Sequence, residues 1–251
     1  MCAATRRSFL KSAALLGAAA GLPTIIKAED KPADKKAPTD LNILFQGDSI
    51  TDGNRTRDND WNHVMGHGYA YLISSRLWFD HPERKFHFFN RGVSGNKVVD
   101  LAKRWQTDTL DIKPNVLSIL VGVNDVLAML RGQEGFTADN FETDYRNLLK
   151  QTTEALPNVK LVIGEPFVLH VAKVNKMWDQ WRTETGKRAE VARQLAREFN
   201  AIFVPYQQAF NDALKKAPAD YWIWDGVHPM PAGHELMARE WLKATKGLGL
   251  V

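Results

Sequence analysis

Short runs of continuously apolar residues recur along this chain, and longer stretches with apolar side chains three to four positions apart separate them. Residues 41–46, 115–121 and 159–164 are such runs, joined by the phenylalanine-rich 85–90 and the brief 201–204. The stretches 68–79, 97–105, 139–156, 183–200, 205–216 and 231–244 have helical spacing, as in Tyr69, Leu72, Ile73, Arg76 and Leu77. Thr137 or Asp139 is placed to cap the third of these, Pro157 stops it, and Pro231 opens the last. Strands that alternate with helices of about 10–15 residues predict a parallel sheet covered on both faces. Strands apolar at every position fit burial on both sides. The fold class expected is therefore α/β. In such a sheet ligands bind beyond the carboxyl ends of the strands, so the residues that leave each strand are where chemistry is to be sought.

Charge and composition narrow the partners. The chain has 251 residues and a formal charge of +4. Residues 1–28 hold Arg6, Arg7, Lys11 and Lys27 and no acid, which leaves 29 basic and 29 acidic residues in the remainder. A balanced domain gives no electrostatic reason to expect nucleic acid or an anionic membrane as partner. Thr5-Arg6-Arg7-Ser8-Phe9-Leu10-Lys11, followed by a small-residue apolar run over 12–22, resembles a bacterial twin-arginine signal. The run is too short to span a bilayer. A signal peptide over 1–28, cleaved after Ala28, and export to the periplasm or beyond are expected, with no stable membrane anchor. Residues 29–40 are charged and proline-containing and read as a flexible linker. Residues 41–251 then form one domain. Cys2 is the only cysteine, so that domain has no disulfide and no thiol chemistry. Nothing in the pattern dictates an oligomeric state.

The strand exits carry a recurring chemistry. After the first strand comes Gly47-Asp48-Ser49-Ile50-Thr51-Asp52, which puts a serine at the mouth of the crevice, its own N–H turned toward an incoming carbonyl oxygen. Taken alone, Asp48 and Ser49 equally fit a helix cap. After the second strand comes Asn90-Arg91-Gly92-Val93-Ser94-Gly95-Asn96, where two glycines permit a sharp turn or a close approach. After the third comes Gly122-Val123-Asn124-Asp125, whose side-chain amide is a neutral donor for a developing oxyanion or a simple turn residue. Near the C-terminus lies Trp224-Asp225-Gly226-Val227-His228-Pro229. Asp and His three apart can meet directly, the carboxylate accepting from Nδ1–H and leaving Nε2 outward as a base.

These blocks in this order resemble the SGNH/GDSL hydrolase family from about residue 41 to 242, and Gly226-Val-His-Pro-x-Pro-Ala-Gly-His234 carries the likeness furthest. The resemblance implies a flavodoxin-like three-layer α/β/α sandwich with a five-stranded parallel sheet. It implies Ser49 as nucleophile, His228 as general base and acid, and Asp225 as the group that orients His228. The oxyanion hole it implies consists of the N–H of Ser49, the N–H of Gly95 and the side chain of Asn124, with Gly92 as rival to Gly95. The activity implied is hydrolysis of a carboxylic ester.

Other chemistries fit less well. Ser94 lacks the Gly-x-Ser-x-Gly frame of a nucleophile elbow. His63 and His67 have the spacing of zinc ligands on a helix, but Gly66 and Gly68 predict a loop. The carboxylate and histidine clusters of a two-metal site and the glycine patterns of nucleotide sites do not appear; neither a metal nor a cofactor is expected. A small-molecule or saccharide ester is the expected substrate, bound by Asp48, Trp61, Trp178 and Trp224. Aromatics beside polar groups suit a sugar ring, whereas a lipid site needs a longer aliphatic channel. O-deacetylation of a carbohydrate is the leading expectation. The alternatives are a lysophospholipase, thioesterase or broad esterase, and a non-catalytic binding module on the same fold.

Overall fold

The computed structural model describes residues 40–58 and 60–250. The expected signal peptide, residues 29–39 of the expected linker and Asn59 lie outside the described residues. Asp40, expected to end the linker, already belongs to the first strand.

Strands β1 (Asp40–Gly47), β2 (Lys85–Asn90), β3 (Val116–Leu120), β4 (Lys160–Gly164) and β5 (Ile202–Val204) form one parallel sheet among the described residues, ordered β2-β1-β3-β4-β5. Alternate side chains feed two cores. Ile43, Phe45, Val116 and Val162 face one layer, with α2 (Tyr69–Asp80), α7 (Tyr206–Ala213) and α9 (Pro231–Ala244). Leu44, Leu117, Ile119, Leu161 and Ile163 face the other, with α3 (Val98–Lys103), α5 (Ala138–Ala155) and α6 (Trp178–Glu198). This is the three-layer α/β/α sandwich that the family resemblance implies. One polar side chain breaks the pattern in β3. Ser118 is buried but satisfied, its Oγ accepting from the indole N–H of buried Trp241 at 3.0 Å; a polar group left unpaired there would cost about 1–3 kcal/mol.

The order of strands decides where the site lies. The chain leaves β1 for β2 on one side and then passes to β3 on the other. The switch point is thus between the carboxyl ends of β1 and β3. The segments leaving those ends begin two short helices, α1 (Ser49–Asp52) and α4 (Val123–Leu130), neither of which the spacing predicts. Gly47 at φ 157° and Gly122 at φ 134° make the two exits. A Cβ on Gly47 would lie 2.2 Å from the Leu120 carbonyl oxygen, so the exit tolerates no side chain. A further short helix, α8 (Ala219–Trp222), precedes the Asp-x-x-His loop. The helix expected from residue 183 begins five residues earlier, at Trp178, because Trp178 and Trp181 already pack on its buried face.

Candidate active site

Ser49 is the first residue of α1. Asp48 caps the helix, its carboxylate accepting from Ile50 N–H at 3.0 Å. The serine N–H therefore has no acceptor within the helix. Asp225 and His228 lie 176 and 179 positions further on, yet the Ser49 hydroxyl is 2.8 Å from His228 Nε2. On the far side of the ring, Nδ1 is 2.8 Å from Asp225 Oδ2. The remaining carboxylate oxygen, Oδ1, accepts from the backbone N–H groups of Val227 (2.9 Å) and His228 (2.7 Å). Gly226, at φ 95°, makes the turn between carboxylate and imidazole. Burial opposes ionisation of Asp225. The bonds from the side chain and backbone of His228, from Lys173 and from Val227 outweigh it and hold the carboxyl well below its ordinary range. A charged carboxylate thus fixes the Nδ1–H tautomer and leaves Nε2 to accept the serine proton.

The other donors expected for the oxyanion hole, and the rival glycine, lie on the next two strand exits. Gly95 sits at φ 84° with open space where a Cβ would be. Its rival Gly92 is packed against the backbone of Asp52, 2.3 Å from a hypothetical Cβ, and its N–H already donates to Asn90 Oδ1 at 2.9 Å. Asn124 lies in the first turn of α4 and donates from Nδ2 to the Asn96 carbonyl at 3.2 Å, which ties the Gly95–Asn96 turn to β3. Asn90 Nδ2 in turn holds the Thr51 carbonyl at 2.7 Å. The Asn90 and Asn124 side chains thereby link the turns after β1, β2 and β3 to one another. Ser94, the rival nucleophile, donates to Asp52 Oδ2 (3.3 Å), which also takes the Ser94 N–H.

A cleft of about 190 Å³ opens over the serine, lined by Ser49, Asn54, His67, Trp224, His228 and His234 among others. The arrangement can transfer an acyl group: an imidazole positioned to take a hydroxyl proton, beside the Ser49 N–H at a helix start, in a space of a few heavy atoms. Residues 45–236 match the sequence profile of the GDSL-like lipase/acylhydrolase family. The chain belongs to that family. An acetylxylan esterase of Geobacillus stearothermophilus is 34% identical over 209 residues, which cover 80% of this chain and 92% of that enzyme. The crystal structure of an acetylxylan esterase from the same organism superposes with a TM-score of 0.70 at 32% identity, over 85% of this chain and 96% of that one. A protein of Parabacteroides merdae described as a candidate GDSL-like lipase superposes at 0.80 with 43% identity, over 84% and 98% of the two chains. This GDSL-family chain is an ester-bond hydrolase.

The side chains expected at the substrate are scattered in this GDSL hydrolase. Trp224 lines the cleft, 58% exposed and nearly parallel to the His228 ring at 5.9 Å. Asp48 is fully buried beneath the serine, so it faces the interior and not a ligand. Burial pushes its carboxyl up to about 7, against the pull of Ile50 N–H and His228. Trp61 packs near Trp78 over cavities that do not include the serine. Trp178 stacks on His170 at 4.6 Å beside a separate cavity of about 300 Å³. The expected loop around His63 is observed; His63 is exposed and bonds Asp60 Oδ2 at 2.6 Å, while His67 reaches the cleft. His234 stands behind it, its Nδ1 accepting the Tyr69 N–H at 3.2 Å, and burial, with His67 and His228 nearby, lowers it to about 4. Lys173, 2.5 Å from Asp225 Oδ2, is invisible to spacing arguments, since a lone lysine in a short 3₁₀ turn (Ala172–Met177) has no periodic signature.

Proposed function

We propose that this protein removes O-acetyl groups from carbohydrate substrates through an acyl-enzyme on Ser49. The observation that carries the reading is the unbroken chain from Ser49 Oγ through His228 to Asp225, with both hydrogen bonds at 2.8 Å. In the first half-reaction His228 takes the Ser49 proton as Oγ attacks the ester carbonyl. The oxygen of the tetrahedral intermediate is held by the N–H groups of Ser49 and Gly95 and by the Asn124 side chain. His228 then protonates the leaving sugar hydroxyl, and the same steps with water release the acetate. Two solved forms of the Geobacillus enzyme are described as catalytic mutants, one with a serine and one with an aspartate replaced by alanine. They support Ser49 as nucleophile and Asp225 as the group that orients its base.

The small volume of the cleft favours an acetyl group over a long acyl chain, and Trp224 at its lip offers a flat face to a sugar ring. Similarity to an acetylxylan esterase points the same way. The paired arginines at the N-terminus support export before action on such a polymer. Hydrolysis of p-nitrophenyl esters from acetate to decanoate tests the acyl preference. A sharp fall in kcat/KM beyond acetate is expected; a rise toward decanoate contradicts the deacetylase reading. Acetate release from acetylated xylan, lost in Ser49→Ala, tests the carbohydrate.

A further inference from the structure

We propose that Lys173 is a positioning residue that sets the acid limit of catalysis by sharing the Asp225 carboxylate with His228. The inference rests on His228 being the general base. Lys173 Nζ lies 2.5 Å from Asp225 Oδ2, and His228 Nδ1 lies 2.8 Å from that same oxygen. With both nitrogens on one oxygen, the ammonium and the imidazole are no more than about 5.3 Å apart, the two distances laid end to end. A positive charge that close disfavours imidazolium and draws off part of the carboxylate charge that would stabilise it.

The lysine is held in place, not merely close. The preceding Ala172 adopts φ 50°, a left-handed conformation that alanine enters only under constraint. Val174, the next residue, is completely buried against Gly226, where a Cβ would come within 2.6 Å of it. Leu169 N–H donates to the Gly226 carbonyl at 3.0 Å. Residues on both sides of Lys173 are therefore clamped to the turn that joins Asp225 to His228. The other titratable groups near the imidazole are Asp48 beneath it, His234 from α9 and His67 across the cleft. None of these contacts the Asp225 oxygen that Lys173 takes. The lysine side chain is 46% exposed and the aspartate 6%, so its effect is moderated by solvent and salt.

The test is the pH dependence of kcat/KM on p-nitrophenyl acetate for the full chain and for Lys173→Met and Lys173→Arg. In Lys173→Met the carboxylate serves His228 alone, the imidazolium is favoured, and the acid limb moves up by about 0.5–1 pH unit, a loss of about 3- to 10-fold below the limb. Lys173→Arg keeps the charge and is expected to restore the limb toward its original position. A Lys173→Met limb that overlays the parent, with only the plateau or the melting temperature lowered, leaves the lysine a structural tether and overturns the proposal. Should Lys173→Met fail to fold, the parent protein at low and high salt decides: the limb rises as salt screens the half-exposed ammonium, and a fixed limb overturns the proposal. Ser49→Ala separates the two levels. An active Ser49→Ala removes the triad reading itself, whereas an inactive one beside an unshifted Lys173→Met defeats the lysine's role alone.

Discussion

Gly92 and Gly95 stand three residues apart, and their surroundings give them opposite tasks. Gly92 has no room for a methyl group and has spent its N–H on Asn90. Gly95 has room but needs φ 84°. Gly92→Ala is therefore expected to lower the melting temperature strongly, because backbone of Asp52 must move. Gly95→Ala should cost about 1–2 kcal/mol of conformational strain and lower kcat as its N–H is re-aimed. If Gly92→Ala melts like the parent and alone loses kcat, the assignment of the oxyanion donor is reversed. Asn124→Ala removes the side-chain donor proposed for the developing oxyanion, and a drop in kcat of about 10²–10³ is expected in steady-state assays. The sequence motifs name Ser49, Asp225, His228, Asn124 and the glycine pair, because each follows a strand or precedes a helix in a fixed order. They do not name the substrate side chains. Trp61 and Trp178 are aromatic like Trp224, and only tertiary packing sends them to other cavities.

Helix α1 is one turn long and carries the proposed nucleophile, so its cap matters more than its propensity. The capping Asp48 is buried and its carboxyl is raised to about 7 from an ordinary 3.8. The native state thus keeps a proton that the unfolded chain has already lost, and stability falls as pH rises from about 4 through about 7. His234 works in the opposite direction. Its folded value near 4 lies below the ordinary 6.5, so the unfolded chain binds the extra proton and stability is lost as pH falls through that window. Asp48→Asn keeps an oxygen for Ile50 N–H and removes the buried charge. It is expected to gain stability at pH 8 relative to pH 5, by about 2–3 kcal/mol. Urea midpoints at the two pH values check this, and an equal change at both contradicts it. The long elements are readable because hydrophobic periodicity needs several turns to register, as in α5 and α9. The one- and two-turn helices α1, α4 and α8 are too short for it, and the capping residues in Asp48-Ser49 and Gly122-Val123 fit a turn as well as a helix start.

At the scale of the whole molecule, the strand order brings the turns after β1, β2 and β3 to one rim, and α9 follows the loop that returns Asp225 and His228 to it. The α/β class and the parallel sheet follow from strands apolar on both faces. The convergence of residues some 180 positions apart does not, since it depends on the switch between β1 and β3. That convergence is what supports Ser49 as the proposed nucleophile, activated by His228. Mass-spectrometric mapping of the site labelled by a fluorophosphonate puts it to the test. One adduct is expected, on the peptide carrying Ser49, abolished in Ser49→Ala and strongly slowed in His228→Ala. An adduct on Ser94, or labelling at an unchanged rate without His228, would contradict it.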